Sequence, residues 1–329
     1  MQEFGQIIGH ESIIQHLQNA IASHKVSHAY ILHGEEGMGK KLLASTFAKT
    51  LQCEEGGIIS CNRCKSCMQV ASGNHPDILR VTHEKYSIGV EDIRLQLNAD
   101  IQVKPYSSPY KIYIIEDADK LTEQAQNALL KTIEEPPEYA ITILLVSNIS
   151  VILPTILSRC VLLNLKPVDK QTIKEFLMES HQVPDYMAEV AAAFSGGNVG
   201  KAIKYASSEE FEKMKSDVLN ILKFIDGMEL YELISSLKLL TANKNNIDDY
   251  IDLMVLWYRD VLMFKATMDP DLLLYREELT FIMNQANIRS YQGIEKIISA
   301  MEKAKIRLKA NVNFEIAIEL MLLTIKENK

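Results

Sequence analysis

The sequence predicts an α/β protein: an open parallel sheet carrying a phosphate-binding loop, followed by a C-terminal half built only of helices. Short apolar runs alternate with amphipathic stretches up to Leu165, the pattern of parallel strands joined by crossover helices. The first apolar run, Ala29 to Leu32, ends in Gly34-Glu35-Glu36-Gly37-Met38-Gly39-Lys40-Lys41 and leads into a helix. Glycines there let backbone N–H groups close around an anion at a helix N-terminus, and Lys40 can reach terminal phosphates. After Lys166-Pro167 no further strand pattern occurs.

The chain has 329 residues, enough for two or three domains. Its formal net charge of −8 argues against phosphate backbones as the main partner and for protein partners. With no apolar run of about 18 residues and no basic-then-apolar leader, a cytoplasmic protein that does not enter a membrane is expected.

In chain order, Phe4 to His24 places Ile7, Ile8, Ile13, Ile14, Leu17 and Ile21 at largely helical spacing, with Ser12 as the expected cap. His10, His24 and His28 show no ligand spacing and read as structural. The helix after the phosphate loop spans about Lys40 to Leu51 and runs into C-x7-C-x2-C-x2-C: Cys53, Cys61, Cys64 and Cys67. Four thiolates close a tetrahedral shell around Zn²⁺, and metal binding supplies the folding free energy that this polar segment, with Gly56 and Gly57, lacks. An iron–sulfur site is the rival, but the C-x3-C-P continuation is missing. A nucleic-acid knuckle is disfavoured, since Glu54 and Glu55 offset Arg63 and Lys65 and no aromatic platform is interleaved.

His75-Pro76-Asp77 leads into a strand, Ile78 to Val81, and Val90 to Val103 reads as a helix with Ile93, Leu97 and Ile101 on one stripe. Lys111 to Ile115 is a buried parallel strand ending in Glu116-Asp117, carboxylates placed where Mg²⁺ and an attacking water are managed. Leu121 to Glu135 is a helix stopped by Pro136 and Pro137. Ala140 to Val146 is again a strand, and Pro154 to Cys160 leads into the last one, Val161 to Leu165. Beyond it, helices are expected over Asp169–His181, Pro184–Phe194, Val199–Ala206, Glu210–Ile225, Met228–Leu240, Ile247–Met268, Leu272–Ala286 and Ile288–Lys326, the last with a break. Trp257, Tyr258, Met254 and Met263 read as core.

Together, HAYILHGEEGMGKK, the four-cysteine insert, NHPDI, KIYIIEDADKLTEQAQNALLKTIEEPP and LPTILSRC resemble the AAA+ clamp-loader subunits of bacterial DNA polymerase III. The resemblance implies an AAA+ P-loop domain over 1–166 with a zinc module at about 53–75. It further implies a helical lid over 167–207 and an all-helical collar over 208–329. By motif, Gly34, Gly37, Gly39 and Lys40 fall in the Walker A loop and Glu116 and Asp117 at the Walker B acids. Asn148, or Ser147, falls near sensor 1. Arg159 in Ser158-Arg159-Cys160 matches the arginine finger that reaches a neighbour's ATP.

Three departures stand out. Lys41 replaces the hydroxyl that holds Mg²⁺, and an ammonium cannot ligate a metal. The Walker B acids read Glu-Asp where active relatives read Asp-Glu. Gly200 stands where a sensor-2 arginine touches ATP. The expectation is therefore a ring member with no ATPase activity of its own, ATP or ADP being held weakly or not at all. It works within the polymerase holoenzyme, a nucleotidyltransferase assembly. The implied partners are gamma/tau and delta subunits in a hetero-pentameric ring, and through it the sliding clamp and primer-template DNA. The alternative is an ATP-hydrolysing motor subunit of the gamma/tau type, which Lys41 disfavours.

Overall fold

The computed structural model describes residues 3–82, 87–310 and 312–328. They divide into two compact units: Met1–Ile173 with Gly197–Lys201, and Lys174–Gly196 with Ala202–Lys329.

The first unit begins with helix α1 (Glu11–Ala22), strand β1 (Ala29–His33), α2 (Lys40–Leu51), α3 (Lys65–Ala71) and β2 (Ile78–Val81). It continues through α4 (Val90–Ile93), β3 (Lys111–Ile115), α5 (Glu123–Glu134), β4 (Ala140–Val146), α6 (Pro154–Leu157) and β5 (Val161–Asn164). The five strands pair in parallel in the order β2-β3-β4-β1-β5. Helices cover both faces, so β4 is buried at every position and reads as one apolar run. Side chains alternate across it. Ile112, Ile114, Ile141, Ile143 and Leu145 pack with Leu17, Leu43 and Phe47, whereas Tyr113, Ile115, Leu144 and Val146 pack with Ala125, Leu129 and Ile133.

Two local expectations shift. The first helix is capped by His10, in a left-handed conformation (φ 63°), and not by Ser12. The His10 carbonyl accepts from Ile13 and Ile14, and its Nε2 lies 3.1 Å from the Met38 carbonyl. A tertiary contact to the glycine-rich loop thus sets where the helix starts. Of the stretch Val90 to Val103, only α4 is α-helical; Arg94–Asn98 widens into a π turn. That turn buries Leu97 and leaves Leu95 exposed, and Asn98 bonds both Ala128 and Thr132 of α5.

His75-Pro76-Asp77 is a buried polar anchor, which sequence reasoning did not assign. His75 Nδ1 accepts the Asp77 N–H (3.1 Å), and its Nε2 faces Ser66 Oγ (3.0 Å) and Ser108 Oγ (3.3 Å). Asp77 accepts the N–H groups of Tyr106 and Ser107, pinning the turn before β3. Burial holds the His75 imidazole below its ordinary pKa, so the unfolded chain takes up a proton first. Stability from this group is complete above about pH 6.5 and falls as the pH drops below it, by at most about 1.4 kcal/mol per pH unit. His10, lowered by burial in the same way, adds to the slope. Urea midpoints between pH 8 and pH 5 should show this decline, and His75→Gln should reduce it; an unchanged slope in the variant would refute the assignment.

The second unit is helical: α7 (Lys170–His181) enters it, followed by α8 (Asp185–Phe194), α9 (Val199–Ala206), α10 (Glu209–Phe224), α11 (Leu230–Ala242) and α12 (Ile247–Thr267). Then come α13 (Leu279–Ile288), α14 (Tyr291–Lys309) and α15 (Phe314–Glu327). The middle of α12 is the core: Met254, Trp257 and Tyr258 are buried, and Trp257 Nε1 donates to Gln285 of α13 (2.9 Å). The expected helix from Leu272 begins only at Leu279. Fully buried Asp260 accepts the N–H groups of Leu274 (2.7 Å) and Tyr275 (2.8 Å), a bond set that holds this segment out of helical form. The expected break in the last stretch falls after Lys309, and Asn313 caps α15. No helix among the described residues is long and apolar enough to cross a membrane.

Candidate functional site

The glycine-rich loop follows β1 at the C-terminal edge of the sheet, where ligands of open α/β sheets bind. Gly37 (φ 89°) and Gly39 (φ 92°) take left-handed conformations, and α2 starts at Lys40. The Lys40 ammonium turns back on its own loop. It donates to the carbonyls of Gly34 and Glu35 and, at 2.9 Å, to Ser147 Oγ. Burial lowers its pKa, against the pull of Asp119, Asp117, Glu36 and Glu35.

Lys41 pairs with Glu116 Oε2 at 2.6 Å, and Arg80 of β2 pairs with Glu116 Oε1 at 2.6 Å while donating to Ser45 Oγ of α2 at 2.8 Å. Burial alone would raise the Glu116 pKa, but hydrogen bonds from Lys41 and Arg80 outweigh it and hold the carboxyl below its usual range. The same bond to Glu116 raises the Lys41 pKa. Asp117, left-handed at φ 50°, pairs with Lys120 (3.0 Å). Asn148 caps its own turn through Ser150, so Ser147, and not Asn148, is the residue that meets Lys40.

The turn at Gly197–Lys201 packs on the loop. Buried Asn198 donates to the Glu36 carbonyl (2.7 Å), the Gly200 N–H donates to the Gly37 carbonyl (2.9 Å), and Lys201 pairs with Glu35 (3.2 Å). A Cβ on Gly200 would lie 2.7 Å from the Gly37 oxygen and 2.8 Å from its Cα, both backbone atoms that cannot step aside. Gly200→Ala should therefore destabilise the protein by about 1–3 kcal/mol, read as a lower urea midpoint at unchanged slope. A wild-type midpoint would mean that the turn lifts away freely.

Arg159 lies at the other edge of the sheet. Val161 pairs with Tyr30 near the start of β1, whereas Gly34 follows its end. At about 3.3 Å per residue the four steps from Tyr30 to Gly34 put the two levels roughly 13 Å apart along the strand, beyond the reach of the Arg159 side chain toward this chain's own loop. Its Nη1 donates to the Thr155 carbonyl (3.0 Å) and Ser158 Oγ (3.2 Å), and Nη2 pairs with Glu134 (3.0 Å).

The four cysteines do converge: the Sγ atoms of Cys53, Cys61, Cys64 and Cys67 all lie within 4.8 Å of one another. A tetrahedral thiolate shell with metal–sulfur bonds of about 2.3 Å requires S···S near 3.8 Å, and Cys61 and Cys67 stand at 4.0 Å. Backbone N–H groups of Cys61, Cys64 and Cys67 donate to the sulfurs of Cys53, Cys61 and Cys64. The Arg63 and Cys64 amides bring the Cys61 thiol down to about 7, while burial pushes Cys67 up. The donor set and its spacing fit a metal ion. Asn62, in a left-handed conformation, bridges Lys49 of α2 to Glu3, and Arg63 pairs with Glu55.

Residues 9–169 match the family model described as DNA polymerase III, delta subunit. Over 318 residues the chain is 30% identical to DNA polymerase III subunit delta' of Bacillus subtilis (strain 168), covering 96% of this chain and 95% of that one. The chain belongs to the DNA polymerase III delta-prime family. It is also 30% identical over 287 residues to the tau subunit of the same organism, covering 80% of this chain and 51% of tau. A gamma subunit-related protein of Thermotoga maritima superimposes with a TM-score of 0.42 at 19% identity, over 96% of this chain and 99% of that one.

Membership in the delta-prime family bears out the resemblance drawn from the sequence motifs, as does the α/β sheet with its four-cysteine insert and helical C-terminal region. Sequence reasoning missed Arg80 and Asn198. A lone arginine in the apolar run Ile78-Leu79-Arg80-Val81 was the available signal for the first. Asn198 lies in the turn Gly197-Asn198-Val199-Gly200 that the resemblance marks, but its bond to Glu36, 162 residues away in sequence, has no local signal.

Proposed function

We propose that this delta-prime family chain is a non-hydrolysing subunit of the clamp loader of DNA polymerase III, active in loading the sliding clamp during DNA replication. The observation that carries this reading is the bridge Lys41–Glu116–Arg80. In a working nucleotide site a hydroxyl after the loop lysine and a carboxylate at the strand end hold Mg²⁺. Here the first is an ammonium, and both oxygens of the second are already bonded to the Lys41 and Arg80 cations. Lys40 satisfies the loop's own carbonyls, and Gly200 offers no side chain toward a nucleotide.

The chain's contribution to the reaction is then Arg159, presented in trans to ATP bound by a neighbouring subunit. Its place at the sheet edge opposite the loop supports this role. The four-cysteine centre is read as structural Zn²⁺ because four soft thiolates leave no open position for a substrate. The remaining organisation follows the family: a P-loop domain (1–166), a lid (167–207) and a collar (208–329). The ring neighbours would be gamma/tau and delta subunits in a cytoplasmic pentamer that holds the sliding clamp and primer-template DNA.

The test uses the purified chain alone with Mg-ATP. Steady-state hydrolysis should not exceed background; turnover that Lys40→Ala abolishes would establish an active site of its own and overturn the reading.

A further inference from the structure

We propose that Glu134 is the positioning residue for Arg159, an inference that rests on the trans role assigned to Arg159 above. Helix α5 starts beside the phosphate-loop edge of the sheet and ends at Glu134, shortly before Pro136, on the far edge where Arg159 lies. Glu134 Oε1 meets Arg159 Nη2 at 3.0 Å, while Nη1 is held by the Thr155 carbonyl and Ser158 Oγ. Both terminal nitrogens of the fork are therefore fixed, one by α5 and one by the turn that carries the arginine.

The two supports are joined to each other. Buried Gln126 of α5 accepts the Leu153 N–H (2.8 Å) and donates to the Val151 carbonyl (3.0 Å), so the α6 segment is fastened to α5 ahead of the finger. Stability is a poor explanation for the Glu134 pair. The side chains are 41% and 43% exposed, a setting in which an ion pair contributes little. Orientation explains it better. A free arginine samples many rotamers, and a guanidinium must meet a γ-phosphate in one plane; a carboxylate that fixes the fork beforehand removes that search. Glu134 does not touch the neighbour's nucleotide in this scheme. It acts only through Arg159.

The experiment reconstitutes the whole loader with Glu134→Gln, Glu134→Asp, Arg159→Ala and the Glu134→Gln/Arg159→Ala pair, and measures DNA-stimulated ATP hydrolysis against ATP concentration. Glu134→Gln should lower kcat about tenfold with KM within about twofold of wild type, the signature of lost transition-state orientation. Glu134→Asp should recover most of the rate, and the pair should be no slower than Arg159→Ala alone. Wild-type kcat in Glu134→Gln beside a slow Arg159→Ala would overturn this inference and leave the finger standing. Full additivity in the pair, or a loss traced to failed assembly, would also overturn it. If Arg159→Ala itself runs at the wild-type rate, the proposed trans role falls, and the inference with it.

Discussion

A loader reconstituted with Arg159→Ala should assemble with normal stoichiometry and lose ATP hydrolysis on the order of 10³-fold at the interface this chain completes, the low end of what an arginine finger contributes. Assembly should survive because Arg159 is a partly exposed side chain whose bonds go to Thr155, Ser158 and Glu134. The loss should be large because phosphoryl transfer spreads negative charge over the γ-phosphate oxygens, and a planar cation in a water-poor interface stabilises that charge strongly. Arg159→Lys should recover only part of the rate, since an ammonium keeps the charge and loses the fork. Single-turnover hydrolysis and clamp loading in the reconstituted complex check both variants. Wild-type single-turnover rates in Arg159→Ala would remove the mechanism without touching the fold.

Removing the metal proposed for the four-cysteine centre should have the second-largest effect, and on stability. Between Cys53 and Cys67 the chain buries little apolar surface apart from the cysteines themselves; Ile58 and Ile59 are exposed. A centre of this type supplies folding free energy directly, about 10–16 kcal/mol in isolated zinc peptides. Several kcal/mol of that order should be lost here locally. The damage should spread along named contacts: the Asn62 bridge from Lys49 to Glu3, and Ser66 against His75, which secures the turn before β3. Chelation, or Cys67→Ser, should open the segment around Glu54–Arg63 to protease and lower the melting temperature of the sheet unit. Metal analysis showing a stripped protein with wild-type melting and cleavage would refute a structural role.

Much of the sheet unit is legible from local pattern. β4 declares itself by an unbroken apolar run, α5 by its apolar stripe and its stop at Pro136, and the four-cysteine centre by spacing alone. Arg159 is singled out only by resemblance, through the company of LLKTIEEPP and ILSRC, because a surface arginine before a strand carries no signal of its own. The errors share one cause. The cap at His10, the π turn at Arg94–Asn98 and the irregular run at Leu273–Tyr275 are each set by a bond to a residue distant in the chain: Met38, Ala128 with Thr132, and Asp260.

Residue type at short spacing is enough to give the parallel α/β class, the helical C-terminal region, the four-cysteine spacing and the lack of a metal-binding hydroxyl at Lys41. That Lys41 and Arg80 share Glu116, that Lys40 turns onto its own loop and that Gly200 rests on Gly37 emerges only once the chain is folded. Apart from the Lys40 bonds to Gly34 and Glu35, six and five residues before it, these are pairings between groups far apart along the chain. Their geometry is set when the sheet edge and the turn at Gly197–Lys201 come together, and no local pattern encodes it.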